Sequence, residues 1–247
     1  MQPVDILHIK FVLLIKANVM DYTEQEKKRA SFGRSYGTGM QVLGDNFWKL
    51  LLIVLTVAII QAPFQIIQIT IEIGGFNVFL GIFALFALAY AFLVTPVFQY
   101  GQDILFVHAA RKQKLEFKTL ISGFSENYLH IILANLLVFT IIMIGIIMLI
   151  IPGIILGCRL VFVSYLVMDR KLDPIEAVEE SWRLTKGHGW TIFFMAFVSF
   201  FIIVFGFNLL IIGIFPAIIW VSSAFAVLYQ DVLEEKGEYP FEQKNIE

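Results

Sequence analysis

Long apolar blocks separated by short polar segments dominate the chain from residue 48 onward. Six of these blocks reach or approach the length that a helix needs to cross about 30 Å of hydrocarbon. They cover residues 48–73, 76–98, 129–151, 152–168, 190–210 and 211–229. Because a backbone in lipid must satisfy its own hydrogen bonds, these blocks are expected to be helices. The pattern predicts an all-α membrane protein with six transmembrane helices.

The fourth and sixth blocks are the shortest, and each begins at a short link that contains proline and glycine. These links are Ile-Pro-Gly at 151–153 and Gly-Ile-Phe-Pro at 213–216. Proline and glycine permit a sharp reversal of the chain. We therefore expect three transmembrane hairpins, and a re-entrant pair is the alternative at each of these two links.

A segment with helical spacing of its apolar residues precedes each odd-numbered span. The three segments cover residues 32–48, 117–128 and 175–190, and they end at the aromatic residues Trp48, Tyr128 and Trp190. Aromatic residues are enriched where a membrane helix meets water. The pattern predicts a threefold internal repeat, in which each unit is a cytoplasmic, interfacial amphipathic helix followed by a transmembrane hairpin.

The third of these segments carries the strongest helix signals. Asp173 can cap its start, Pro174 fits its first turn, and Gly187 fits the left-handed position after its end near Lys186. Glu179 and Arg183 are expected to pair at i,i+4 spacing on the charged side. The opposite, shared face is predicted to consist of Ile175, Val178, Trp182 and Thr185. The charged side is either a solvated surface or a docking surface for a cytosolic partner or lipid headgroups.

Composition excludes an ordinary soluble enzyme. Hydrophobic residues make up 59% of the 247 residues and charged residues 15%, against about 45–50% and 25% in soluble domains. The net charge of -2 argues against a nucleic-acid partner. The single cysteine, Cys158, precludes an internal disulfide and a site with several cysteine ligands.

The basic residues indicate the orientation in the membrane. All but one of the 18 Lys and Arg residues lie on the side of the predicted hairpins that also carries both termini. Cytoplasmic loops collect Lys and Arg, so both termini are predicted to be cytoplasmic in a multi-pass protein of the bacterial inner membrane. We divide the chain into an N-terminal segment at 1–30, a six-helix domain at 31–232 and a charged cytoplasmic tail at 233–247.

The first nineteen residues are apolar with scattered lysines, and they lie outside the repeated pattern. They form either an extra interfacial helix or a segment that precedes the true start at Met20. A signal peptide is not expected, because a basic start and a cleavage site with small residues are missing.

Arg159 is the one basic residue inside a predicted span, about 10 Å beyond Pro152 along its helix. An ionisable residue within the membrane is a functional candidate. The structural alternative is that Arg159 reaches the outer headgroups, or that it pairs with helix-end carbonyls or an amide of another span. The amides considered are Gln61, Gln65, Asn135 and Asn208. The remaining candidate functional residues are Trp182, Arg183, Lys186 and His188.

No motif for catalysis, cofactor binding or metal binding is present in the sequence. The four histidines lack the i,i+4 spacing of a helical metal site. Gly37, Gly39 and Gly44 superficially resemble a phosphate loop, but close helix packing or chain flexibility is the favoured interpretation. A membrane-embedded enzyme of lipid metabolism would have only a weak set of candidate residues, namely Asp169, Arg170, Asp173 and His188. We expect a protein that is not an enzyme and that has no cofactor.

A resemblance to a known family rests on residues 150–190. The residues that carry it are Ile-Ile-Pro-Gly-Ile at 150–154, Arg159, Tyr165 and Asp-Pro-Ile-Glu-Ala-Val-Glu-Glu-Ser-Trp-Arg-Leu-Thr-Lys-Gly-His-Gly-Trp at 173–190. This pattern resembles a group of prokaryotic six-helix membrane proteins, similar to the membrane domain attached to some glycerophosphodiester phosphodiesterases. The resemblance covers about residues 31–232 and implies a role tied to the envelope or to lipid. It implies no catalysis, because a phosphodiesterase barrel needs roughly 200 further residues.

Two functions follow as expectations. The first is a non-enzymatic scaffold or envelope and lipid-homeostasis factor whose partners are membrane lipids, a membrane protein or a second copy of the chain. The alternative is a small transporter or permease for a lipid-like or apolar solute, based on Arg159 and on the prolines Pro63 and Pro96 within spans. Transport coupling would need an acidic residue in the bundle, which requires Glu72 or Asp103 to turn inward.

Overall fold

The computed structural model describes residues 30–74, 78–208 and 213–238, and these residues form helices and connecting turns without any strand. The N-terminal segment at 1–29, including the expectation for residues 1–19, and most of the predicted tail lie outside the described residues. In chain order the helices are α1 (Phe32–Gly74), α2 (Val78–Leu93), α3 (Thr95–Ala110), α4 (Thr119–Glu126), α5 (Tyr128–Met148), α6 (Ile150–Arg159), α7 (Val163–Asp169), α8 (Pro174–Thr185), α9 (Gly189–Asn208) and α10 (Ile214–Glu235).

Six stretches of the described chain are helical, long and apolar enough to cross a membrane. We number them as spans one to six: Phe32–Pro63, Gly81–Ala110, Tyr128–Met148, Ile150–Asp169, Gly189–Asn208 and Ile214–Glu235. The predicted all-α fold with six membrane-length helices is therefore confirmed. The spans agree in order with the predicted blocks and differ from them at their ends.

A short non-helical break separates a shorter helix from a long apolar one at three places. Asn46 interrupts α1 with φ of -125° and ψ of 17°, and Asn127 separates α4 from α5 with φ of -136° and ψ of 24°. Residues 186–188 separate α8 from α9. We call the start of α1 up to Asn46, α4 and α8 the juxtamembrane helices. Their positions match the three predicted segments, while the threefold repeat itself stays a prediction.

The even-numbered spans end with the same backbone geometry. The last helical turns close at Arg111, Arg170 and Lys236, whose ψ angles lie between -3° and 2°. The next residue has a positive φ each time, at 55° for Lys112, 52° for Lys171 and 72° for Gly237. Such values are uncommon outside glycine. We call the end of the bundle that carries these three turns the basic end.

The predicted reversal at 151–153 is wrong by a few residues. The chain turns at the extended residue Leu149, and Pro152 and Gly153 lie in the first turn of α6. Proline is tolerated there because its missing N–H would have no helical partner. Gly153 instead allows α5 and α6 to touch, since a Cβ on it would lie 2.9 Å from the Ile146 backbone nitrogen.

Spans two and four are interrupted. Span two breaks at Val94, before Pro96 in the first turn of α3, whereas Pro63 lies inside α1. Span four breaks at residues 160–162 between α6 and α7. With ten residues α6 is about 15 Å long, too short to cross a bilayer without α7.

The start of α1 is part of the core, although it was predicted to be an interfacial helix. Span six, formed by α10, is the most buried of the six and packs against it. The Trp220 indole N–H donates to the Tyr36 carbonyl at 3.0 Å, and the Tyr36 hydroxyl donates to the Met195 carbonyl at 2.9 Å. Gly39 allows this approach, because a Cβ on it would lie 2.9 Å from the Ala224 backbone. The three-way contact joins α1, α9 and α10.

The close contact at Gly39 gives a prediction. Gly39→Ala should destabilise the protein by about 1–3 kcal/mol, because the added methyl group would clash with backbone atoms of α10, which cannot move without shifting the whole helix. Gly37→Ala is the matched control in the same helix, since a Cβ there meets nothing within 4 Å. It should be neutral or stabilising by up to about 1 kcal/mol. Unfolding midpoints in detergent measure both, and equal shifts would contradict the packing described.

Candidate functional site

The juxtamembrane helix α8 organises the residues that were singled out in the sequence. Its bounds, Pro174 to Thr185, agree with the prediction, and Gly187 follows with φ of 97° as expected. Asp173 precedes the helix but makes no side-chain cap. Its carboxylate lies 3.0 Å from Nε2 of His130 instead.

The predicted apolar face of α8 is only partly observed, because Thr185 is buried and Val178 packs against the core, whereas Ile175 and Trp182 are exposed. The buried residues are Ala177, Ser181, Leu184 and Thr185. Ile175 and Trp182 are 67% and 45% exposed. The small side chains of Ala177 and Ser181 let α8 approach the neighbouring helices closely. Leu184 is buried with them, whereas Ile175 and Trp182 point away from the protein.

Ser181 of α8 connects the two halves of span four. Its hydroxyl donates to the Arg159 carbonyl at 2.7 Å and accepts from the Phe162 N–H at 3.3 Å. The Thr185 hydroxyl lies 3.4 Å from the same Arg159 carbonyl. A helix break in lipid leaves backbone groups without partners, and α8 supplies these partners from outside the span.

Arg159 lies beside Trp182 of α8, and the alternative that it reaches the outer headgroups stays a prediction. Its guanidinium carbon is 5.6 Å from the centroid of the Trp182 ring, a cation–π distance. The buried Nη1 atom has no hydrogen-bond partner within the described chain. The considered pairing with amides is also not observed, because no hydrogen bond joins Arg159 to Gln61, Gln65, Asn135 or Asn208. The break after Arg159 explains the difference, since the predicted span was continuous.

A groove of about 570 Å³ extends from Arg159 along α6 and α9. Apart from Arg159, its side chains are apolar or weakly polar. They include Ile151, Ile154, Ile155, Cys158, Trp190 and Phe193. Gly187 and Gly189 complete the lining. The groove therefore has one cationic end and one apolar end.

The other candidate residues do not join Arg159. Arg183 and His188 face the end of α10, where Nε2 of His188 lies 3.6 Å from Oε1 of Glu235. Burial lowers the pKa of His188 below its ordinary value, and Glu235 opposes this only in part. Lys186 is exposed. Of the five candidates, the structure brings together Arg159 and Trp182.

Two arginines and two glutamates form a closed ring of ion pairs at the basic end. Arg170 lies 2.8 Å from Glu180 and 2.6 Å from Glu238. Arg183 lies 2.6 Å from Glu180 and also pairs with Glu238. The ring joins the end of α7 and the helix α8 to the segment after α10.

The ring corrects the predicted pair of Glu179 with Arg183. The partner is Glu180, one turn away at i,i+3, because Glu180 also faces Arg170. Hydrogen bonding from Arg183 lowers the pKa of Glu180, and the hydrogen bond to Glu180 raises the pKa of Arg183. Both groups are therefore charged near neutral pH.

A buried ion pair lies next to this ring and was not found from the sequence. Nη1 and Nη2 of Arg111 approach Oδ1 and Oδ2 of Asp169 at 2.6 and 2.7 Å, and these side chains are only 7% and 8% exposed. The Tyr229 hydroxyl donates to Oδ2 of Asp169 at 3.0 Å. One cluster thus joins the ends of α3, α7 and α10. The sequence signal that could have indicated this cluster is that Arg111 and Arg170 occupy equivalent positions at two helix ends.

A further pair fixes the start of the described chain to α10. Arg34 lies 3.1 Å from Asp231, whose side chain is 4% exposed. The Ala30 N–H donates to Glu235 at 3.0 Å. The basic end is therefore held by ion pairs of residues from Arg34 to Glu238 in the chain, together with the hydrogen bond from Ala30.

The four residues of the weak enzyme set are in separate contacts. Asp169 pairs with Arg111, Arg170 with Glu180, Asp173 with His130, and His188 with Glu235. In the part of the chain that the structure describes, no three His, Cys, Asp or Glu side chains lie together as metal ligands. The groove offers electrostatic contact at Arg159 and apolar contact along its wall.

No protein-family model, curated protein or solved structure matches this chain. The resemblance carried by residues 150–190 therefore stays a prediction, and the site has to be interpreted from its own geometry.

The buried pair predicts a large loss of stability. Asp169→Asn leaves the Arg111 guanidinium in a buried position without its carboxylate, which should cost about 3–5 kcal/mol. The control is Lys114→Gln, because Lys114 pairs with Glu116 at 3.6 Å and is 86% exposed. It should change stability by less than about 0.5 kcal/mol. Chemical unfolding of both variants in detergent gives the comparison, and similar losses would show that the Arg111 pair is not structural.

Proposed function

We propose that this chain is a non-enzymatic protein of the bacterial inner membrane that acts as a scaffold in envelope or lipid homeostasis. The observation that carries the proposal is the outward surface of α4 and α8. Both helices expose large apolar side chains beside charged ones, immediately next to a span. The exposed residues are Ile121 and Phe124 on α4 and Ile175 and Trp182 on α8.

Lipid headgroups are the environment that suits this surface. Ile175 and Glu176 are neighbours on α8 and are both exposed. Bulk water would disfavour the isoleucine, and hydrocarbon would disfavour the glutamate. The boundary between headgroups and acyl chains accommodates both, as it does for amphipathic helices that lie in the membrane plane.

The charges at the basic end support a structural role and a cytoplasmic position. Arg34, Arg111, Arg170 and Arg183 each have a carboxylate partner. Ion pairs of this kind hold the helices together and leave few acids or bases free for catalysis. Because basic residues accumulate on the cytoplasmic side, this end and both termini are assigned to the cytoplasm.

The recurring backbone geometry supports the threefold repeat within this proposal. Asn46 and Asn127 occupy equivalent breaks, and Lys112, Lys171 and Gly237 occupy equivalent helix ends. Two of the three units present a helix with exposed apolar side chains beside a span, namely α4 and α8, whereas the start of α1 packs in the core. The surface of α4 and α8 suits a scaffold that contacts headgroups, a membrane-protein partner or a second copy of the chain.

Spin labels at neighbouring positions test the proposal. Ile175→Cys and Glu176→Cys are each made with Cys158→Ser, labelled, and reconstituted in nanodiscs. The label at 175 should be accessible to lipid-soluble oxygen, and the label at 176 to a water-soluble nickel complex, because the two side chains leave α8 in different directions. Electron paramagnetic resonance measures both accessibilities. Equal access of the nickel complex at both positions would remove the membrane-surface role of α8.

A second candidate function, transport of a lipid-like solute, is favoured by the broken fourth span. Asp103 of α3 turns inward and interacts with Ser164 and Tyr165 of α7, directly after the break. This is the inward acidic residue that coupling would need, whereas the side chain of Glu72 lies outside the described residues. Broken helices beside ionisable groups occur at transporter sites.

Reconstituted protein separates this candidate from the scaffold. In proteoliposomes with a fluorescent phospholipid in both leaflets, a transporter would expose inner-leaflet lipid to a reductant added outside. Asp103→Asn should then abolish the exposure, and Asp173→Asn, which alters an acid that is 65% exposed, should leave it unchanged. Exposure no greater than in protein-free vesicles, already for the wild type, would exclude transport of such lipids.

A further inference from the structure

We propose that the groove between α6 and α9 is a binding site for an anionic phospholipid, with Arg159 at the lipid phosphate and an acyl chain along the apolar wall. The inference adds a specific ligand site to the scaffold role and does not depend on where α4 and α8 lie. It rests on the charge of Arg159, the shape of the groove and the absence of acidic residues from its lining.

Arg159 is unlike the other arginines of the described chain. Each of the others has an acidic partner, whereas Arg159 has only the Trp182 ring and a buried Nη1 atom without a hydrogen bond. A guanidinium in a low-dielectric site is costly unless an anion or acceptor meets it. Phosphate is a suitable partner, because the planar guanidinium can donate two parallel hydrogen bonds to its oxygens.

The groove has the polarity of a phospholipid. From Arg159 to Ile151 its wall follows nine residues of α6, about 12 Å along the helix. Phe193 faces this wall from α9. The cationic end lies beside α8, since Ser181 binds the Arg159 carbonyl, and the apolar end at Ile151 lies next to the turn at Leu149 between α5 and α6. A headgroup and an acyl chain would therefore each meet a matching surface.

The cationic end also selects for negative charge. None of the residues that line the groove is acidic, so the ammonium of a zwitterionic headgroup would find no counter-charge there. Gly187 and Gly189 also line the groove, and added Cβ atoms there would meet nothing within 4 Å, which leaves open space for a headgroup. The first turn of α9 begins at Gly189, and its free N–H groups favour an anion in addition to Arg159.

Native mass spectrometry of the full-length protein, purified in detergent and mixed with phosphatidylglycerol, tests the site. The wild type should retain one phosphatidylglycerol per chain and prefer it to phosphatidylethanolamine. Arg159→Gln should weaken this binding about tenfold or more, as expected for the loss of a charge-assisted hydrogen bond. Lys114→Gln removes an exposed positive charge from another loop and should bind as the wild type does.

A second variant keeps the test decisive if Arg159→Gln fails to fold. Ile155→Trp fills the groove from its open side without removing a charge, and it should also reduce retention of the lipid. Equal retention by both groove variants and the wild type would overturn the proposal. Equal binding of phosphatidylethanolamine would overturn the selection for anionic lipid, and displacement of the lipid by inorganic phosphate would reduce the site to a phosphate site. Spin-label depths on α8 that still indicate the membrane surface would leave the scaffold role intact in each case.

Discussion

The buried ion pair between Arg111 and Asp169 determines the arrangement of the basic end. It joins the ends of spans two and four, and Tyr229 adds span six through the same carboxylate. Asp169 immediately precedes Arg170, so the position of the buried pair also directs Arg170 toward Glu180 and Glu238. Lipid cannot drive helices together by the hydrophobic effect, since acyl chains are as apolar as leucine. Polar contacts and close packing at small residues therefore carry much of the association.

The groove is a consequence of how α8 packs. Ala177 and Ser181 let this helix approach span four closely, and Ser181 then supplies the hydrogen bonds that the break after Arg159 requires. The break ends α6 at Arg159 and leaves the guanidinium beside Trp182, at the edge of the bundle. In a continuous helix the Arg159 carbonyl would bond within the helix, and neither this carbonyl nor the Arg159 side chain would contact α8. The polar end of the groove thus depends on a serine and an alanine that carry no charge.

The sequence predicts the number and order of the spans well, because a hydrocarbon solvent demands long apolar helices. The proline at 174 and the glycine at 187 also predict where α8 begins and, within two residues, where it ends. Its buried face could not be predicted, since a large apolar residue such as Ile175 can face lipid as favourably as protein. Arg159 stands out in the sequence as an isolated cation, but its partner Trp182 depends on the break in span four. The partners of Arg111 and Arg170 depend on contacts between helix ends that are distant in sequence, and the spacing of apolar residues carries no information on such contacts.

The packing of α1 against α10 has a consequence for biosynthesis. Tyr36 accepts a hydrogen bond from Trp220, which lies 184 residues later in the chain. At about 5–20 residues per second, synthesis of that interval takes on the order of ten to forty seconds. During this time the first helix has no native neighbour at Tyr36 and Gly39, although both are already made. Assembly therefore cannot proceed strictly hairpin by hairpin, because the start of α1 reaches its native packing only after α10 has been synthesised.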